Sequence, residues 1–118
     1  MLESWFTSSP TEVVSVERNA EAQERVDVLT ANLALYHYDA CVYCGRVRKA
    51  ISALHLNIEM RDVLRDARHR RDLETGGGRT TVPCLCIADG SARTWMYESD
   101  DIIAYLTRRF GNGAAGGP

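Results

Sequence analysis

Two periods of apolar residues alternate along the chain, and the switches between them set out an order of elements. Behind Asn19, Ala22, Val26, Leu29 and Leu33 step by four, three and four. Asn19 suits an N-cap and Glu21 falls in the first turn, so a short amphipathic helix is expected here. Leu33 to Tyr38 is an unbroken apolar and aromatic run, which predicts a buried strand. Val47, Ala50, Ile51 and Leu54 then form a helical stripe, with Arg46, Arg48 and Lys49 mostly off it. Asn57 to Arg61 alternates like a second strand. Asp66 is placed to cap a highly charged helix that ends at Gly76-Gly77-Gly78. Val82–Ala88 and Arg93–Tyr97 read as two strands joined by a turn at Asp89-Gly90. Ser99 is expected to cap a last helix with Ile102, Ile103, Leu106 and Phe110 on its inner face. After the extra N-terminal helix the order is β-α-β-α-β-β-α, an α/β sheet with helices on both faces.

A chain of 118 residues holds one such core. The pattern divides it into an N-terminal extension (1–32), a main domain (33–110) and a glycine-rich tail (111–118) expected to be a flexible end. Within the extension, Pro10 and its Ser/Thr neighbours predict irregular structure, with Trp5 and Phe6 as an anchoring pair. An apolar content of 45% with 25% charged residues fits a globular protein. The net charge of −2 gives no general drive toward nucleic acid or acidic membranes. No apolar run reaches the roughly 18–20 residues of a membrane span. Met1 to Phe6 lacks the basic and apolar regions of a signal peptide, which predicts a cytoplasmic protein. In that compartment four cysteines serve chemistry, metal binding or core packing rather than a disulfide scaffold.

Cys41-Val42-Tyr43-Cys44 lies where the first strand gives way to the first helix of the main domain. A C-x-x-C pair can serve redox chemistry, a metal or the core; its place after a strand in a β-α-β pattern favours redox. Cys41 falls near the helix N-cap and Cys44 one turn inside, on the same side. The free N–H groups and dipole of a helix start favour a thiolate, the nucleophile of disulfide exchange. The exposed Cys41 is therefore expected to attack and the shielded Cys44 to resolve. Asp39 would oppose the thiolate if it pointed inward. Cys84 and Cys86, two apart in a strand, face the same way; Cys86 is expected in the core, while Cys84, after Pro83, lies near the site. A C-x-C in a regular strand makes a poor zinc knuckle, and no metal is expected. The arginines from Arg61 to Arg71 alternate with acids and lack interleaved aromatics, so they predict a solvated helix rather than a nucleic-acid face. Of the three histidines only His37 is expected near the cysteines.

Three motifs now in hand, in this order, resemble the glutaredoxin family over roughly Leu33 to Phe110: Cys41 to Cys44, Thr80-Thr81-Val82-Pro83, and Tyr97-Glu98-Ser99-Asp100-Asp101. The resemblance implies a thioredoxin-like fold with a four-stranded mixed sheet, a cis Val82–Pro83 bond, and glutathione as co-substrate. It places the glutathione cysteinyl unit against the backbone of Val82. The γ-glutamyl carboxylate would sit at the helix start around Ser99 and Asp100, with Asp100 or Asp101 meeting the ammonium. The implied binding residues are Tyr43, Thr81, Val82, Pro83, Glu98, Ser99, Asp100 and Asp101, with Tyr38 and Arg79 as further candidates. The chain departs from the family at Val42, where relatives carry proline, and at Tyr38, where many carry a basic residue. Arg79 is placed to supply charge from the other side. The implied activity is a glutathione-dependent thiol–disulfide oxidoreductase acting on glutathionylated or disulfide-containing proteins. Glu98-Ser99 is also similar to the N-terminal domain of glutathione transferases, which makes a transferase-like glutathione-binding domain an alternative. Those enzymes add a large helical domain, whereas eight residues follow Phe110 here. An iron–sulfur cluster carrier, as in some relatives, is a further alternative. A thioredoxin-type reductase fits less well, because no Trp precedes Cys41 and the spacer lacks Gly-Pro.

Overall fold

The computed structural model describes residues 15–111. The expectations for Trp5, Phe6, Pro10 and the tail beyond Gly111 fall outside that range. Within it run helix α1 (Ala20–Thr30), strand β1 (Leu33–His37), helix α2 (Val42–Ala53), strand β2 (Glu59–Asp62), helix α3 (Ala67–Asp72) with a π-helical turn (Leu73–Gly77), strands β3 (Cys84–Asp89) and β4 (Ala92–Met96), and helix α4 (Ser99–Phe110). The strands form one sheet in the order β2-β1-β3-β4. β1 pairs in parallel with β2 and antiparallel with β3, and β3 pairs antiparallel with β4. This mixed sheet, with helix α1 added ahead of β1, is the thioredoxin-like arrangement.

Alternation along the strands sends side chains to opposite faces. Leu33 and Leu35 of β1 and Leu85 of β3 meet Val47, Ala50, Ile51 and Leu54 of α2 and Ile102, Ile103, Leu106 and Phe110 of α4. The stripes expected for α2 and α4 are therefore the ones buried. On the other face Tyr36, Cys84 and Cys86 pack with Val63 and Leu73 beneath the short α3 and its π turn. Arg18 ties the extension to this body by donating to the Leu54 carbonyl at 2.8 Å and the Phe110 carbonyl at 2.7 Å.

Three local expectations shift. Leu29 stands 46% exposed, and α1 buries Thr30 alongside the expected Val26. The Thr30 hydroxyl satisfies itself by donating to the Val26 carbonyl at 3.0 Å, which makes that polar position tolerable inside. β2 begins at Glu59 rather than Asn57, because Ile58 turns into the core and the residues after it form a half-exposed edge strand. Helix α4 starts one residue early: the Ile102 N–H donates to the Glu98 carbonyl at 2.9 Å, so Glu98 is the cap and Ser99 makes no capping bond.

Candidate active site

Strand β1 delivers the chain to the N-terminus of α2, and Cys41 occupies the N-cap there. Its Sγ accepts the Cys44 N–H at 3.2 Å, in place of the oxygen that usually caps a helix. Its own N–H donates to the Tyr38 carbonyl at 3.2 Å. The sulfur is partly exposed and lies 4.0 Å from the Val82 carbonyl oxygen. Cys44 is completely buried, and its thiol is pushed up to about 12, first by burial and then by its contact with Cys41. The pair is thus split as expected, with one sulfur open at a positive helix end and one shielded.

The loop that carries Cys41 is held from below. Nη1 of Arg48 lies 3.0 Å from His37 Nδ1 and donates to the Tyr38 carbonyl at 3.3 Å, while Nη2 donates to the Asp39 carbonyl at 3.1 Å. His37 is buried, and its pKa is lowered by burial and then by Arg48. The Asp39 carboxylate is engaged by a cation, pairing with Arg65 at 2.8 Å. Other charged residues of that stretch form pairs at the surface, with Arg61 on Glu59 and Arg68 on Asp66.

Most of the residues drawn from the second and third motifs come together. Tyr43, Arg79, Thr81, Val82, Pro83, Glu98, Ser99 and Asp100 line one cleft of about 360 Å³ beside Cys41. The Val82–Pro83 peptide is cis. Asp101 and Tyr38 are not among its lining residues; Tyr38 lines a smaller groove with Asp39, Ala40, Asp62, Leu64 and Arg65. Two further cleft residues have roles that the sequence does not announce. Arg46, two residues after Cys44, joins Asp100 at 2.7 Å and so bridges the starts of α2 and α4. The Tyr97 hydroxyl donates to the Arg79 carbonyl at 3.0 Å and accepts the Arg79 N–H at 3.3 Å, and the Arg79 guanidinium lies 4.1 Å above the Tyr97 ring. Gly77 leaves room beside it, because a Cβ there would meet the Tyr97 hydroxyl and force that side chain to shift. Cys84, the residue after Pro83, is completely buried and its thiol is pushed up to about 12 by burial and then by Cys86. Among the described residues no group of three or more His, Cys, Asp and Glu side chains is placed to hold a metal ion, and no helix is long and apolar enough to cross a membrane.

A thioredoxin-like domain with a cysteine at the start of α2, a cis-proline loop across from it and a helix N-terminus closing the cleft is the class this architecture defines. The model of the glutathione S-transferase N-terminal domain matches residues 35–114, and the chain belongs to that family. Among solved structures, maleylacetoacetate isomerase from Anaeromyxobacter dehalogenans 2CP-1, with dicarboxyethyl glutathione and citrate bound in its active site, is similar at 23% identity and a TM-score of 0.52. The match covers 67% of this chain and 37% of the isomerase, so the chain spans little more than a third of that protein. A glutaredoxin from wheat is similar at 20% identity over 75% of this chain and 80% of its own, with a TM-score of 0.49. No curated protein sequence matches the chain.

Proposed function

We propose that this chain is a glutathione-dependent thiol–disulfide oxidoreductase of the cytoplasm, with residues 33–110 as its functional unit, Cys41 as nucleophile and Cys44 as resolving thiol. The observation that carries this is the Cys41 sulfur, partly exposed on the N-cap of α2 and 4.0 Å from the backbone of Val82, at the mouth of a polar cleft. Glutathione would lie along Thr81, Val82 and Pro83 with its γ-glutamyl end at the α4 N-terminus, where Glu98, Ser99 and Asp100 stand and unpaired N–H groups receive a carboxylate. Asp100 would exchange its Arg46 partner for the glutathione ammonium. Tyr43 and Arg79 would border the bound peptide on either side.

In the reaction, the Cys41 thiolate attacks the glutathione sulfur of a mixed disulfide. That S–S bond breaks, the substrate sulfur leaves as a thiolate, and it takes a proton from water. A second glutathione, as its thiolate, then attacks the glutathione sulfur held on Cys41, which releases glutathione disulfide and restores the Cys41 thiolate. Cys44 enters only with protein disulfides, where its sulfur, losing its proton to the departing substrate thiolate, displaces the reduced substrate from Cys41 and closes a Cys41–Cys44 bond that two glutathiones then reduce, leaving as glutathione disulfide.

The test is reduction of the mixed disulfide of glutathione and 2-mercaptoethanol, coupled to glutathione reductase. Cys41→Ser is expected to abolish turnover and Cys44→Ser to retain much of it. Full activity in Cys41→Ser overturns the assignment. The family match supports a second reading, in which the same cleft serves as the glutathione-binding part of a transferase. That reading predicts glutathione binding without disulfide exchange, and binding that survives Cys41→Ser.

A further inference from the structure

Two depressions flank the loop that carries Cys41, one reaching Ala40 and the other Tyr43 and Val82, and the oxidoreductase reading uses one. Strand order separates them. The chain leaving β2, residues 62–65, lies on one flank of β1, while Thr81 to Pro83, entering β3, lie on the other. The cleft assigned to glutathione is on the β3 flank. On the β2 flank is a groove of about 210 Å³ formed by Ala40, the residue before the thiol, with Tyr38, Leu64 and the rim residues Asp39, Asp62 and Arg65.

We propose that this second groove seats an apolar side chain next to the cysteine of a glutathionylated polypeptide, which makes Leu64 a specificity-determining residue. The inference rests on the oxidoreductase reading. Disulfide exchange requires it in outline. The sulfur under attack and the sulfur that leaves are only about 2.05 Å apart, so the two halves of the substrate diverge from nearly one point and need separate surfaces. With glutathione on the β3 flank, the departing polypeptide has the β2 flank.

The character of that flank identifies its occupant. Among the described residues the exposed large apolar side chains are Val28, Leu29, Val42, Tyr43, Met60 and Leu64. One of them lines the groove, Leu64 at 70% exposure beside Ala40; Val42 at 73% follows Cys41 outside both depressions, and Tyr43 belongs to the glutathione cleft. Such surface gains free energy when a partner covers it. Charge argues the same way. Arg65 pairs with Asp39 at 2.8 Å and with Asp62 at 3.5 Å, so two carboxylates face one guanidinium. The rim is negative by one charge, which repels the carboxylates of a second glutathione and admits a neutral side chain.

Leu64 is exposed and belongs to neither core cluster, so Leu64→Ser leaves the fold intact, as circular dichroism will verify. The substrates are two glutathionylated peptides, identical except for leucine or serine beside the cysteine, and the mixed disulfide of glutathione with 2-mercaptoethanol. The wild-type protein is expected to favour the leucine peptide in kcat/KM, chiefly through KM. Leu64→Ser is expected to cut that preference about five- to tenfold, the value of roughly half-burying one leucine side chain, and to leave turnover of the small disulfide unchanged. An unchanged peptide preference, or an equal loss on all three substrates, overturns the inference while the oxidoreductase assignment stands. A wild-type protein inert toward the small disulfide overturns that assignment, and this inference with it.

Discussion

Replacing Arg48 by methionine tests how the reactive loop is held, because three of the fixing contacts pass through one side chain. Methionine keeps much of the apolar stem and removes the guanidinium. Three acceptors then lose a donor: His37 Nδ1, the Tyr38 carbonyl and the Asp39 carbonyl. A hydrogen bond from a charged donor contributes about 1.5–3 kcal/mol. The two carbonyls belong to a surface loop and recover water as partners, so little of their share is lost. His37 is buried at 6% exposure and recovers nothing without opening the structure. The expected destabilisation is therefore roughly 2–3 kcal/mol, which lowers Tm by about 10 °C in a chain of this size.

Urea denaturation gives the free energy and its m-value together, and m should not change. The more discriminating measurement is hydrogen exchange at the Cys41 amide. That N–H donates to the same Tyr38 carbonyl that Arg48 fixes, so its protection should fall in the variant beyond the loss shown by amides of α4. Arg48→Lys, which offers a single donor position, should fall between. A variant with wild-type stability and wild-type protection at Cys41 refutes the claim that Arg48 fixes the loop.

Stability should also depend on pH through His37. Its folded pKa is depressed by burial and then by Arg48, so between the ordinary value of 6.5 and that lower value the unfolded chain binds more protons. The contribution is fully present above pH 6.5 and is lost as pH falls through the folded pKa; a stability curve from pH 7 to 5 that does not fall would contradict it, and His37→Asn should flatten it. Leu106, completely buried between α4 and the sheet, should cost about 3–4 kcal/mol on truncation to alanine, read by the same urea titration. Gly77→Ala drives a methyl group against the Tyr97 hydroxyl and should release the Arg79 backbone, so its effect and that of Tyr97→Phe should be less than additive in a double-mutant cycle. Iodoacetamide at pH 8 should label native protein at Cys41 alone, since Cys44 and Cys84 are held near 12 and buried and Cys86 is buried; peptide mapping that finds Cys84 labelled at a comparable rate contradicts the burial described.

How much of this was legible beforehand depends on the range of the contact involved. The stripes on α2 and α4, the run of β1, and the hairpin around Gly90 come from periodicity and turn chemistry, which act over a few residues. So does the N-cap position of Cys41, because strand, cysteine and helical stripe are contiguous. The failures at Leu29, Asn57 and Ser99 are local patterns overruled by packing. Val26 is buried as its stripe implies, but Thr30 rather than Leu29 joins it inside, its hydroxyl satisfied on the Val26 carbonyl. Nothing within the helix announces that choice.

The cleft divides along the same line. Thr81 to Pro83 and Glu98 to Asp100 were recognisable as short motifs, and the sheet order brings them to Cys41. The parts played by Arg46 and Tyr97 were not recognisable, because they exist only between elements. Arg46 is one more charge off the apolar stripe of α2 until α4 brings Asp100 within 2.7 Å. Tyr97 is one more aromatic at the end of β4 until the π turn lays Gly77 and Arg79 against its hydroxyl. The carboxylate carried over for an ammonium already has a cation, and that cation stands in the same cleft. In the proposed binding mode a ligand ammonium would replace the Arg46 guanidinium on Asp100, one ion pair exchanged for another, so affinity at the α4 end should depend on ionic strength less steeply than with an unpaired aspartate. Arg46→Met, which leaves Asp100 unpaired, should accordingly steepen the salt dependence of glutathione binding, and a dependence unchanged from the wild type would refute the exchange.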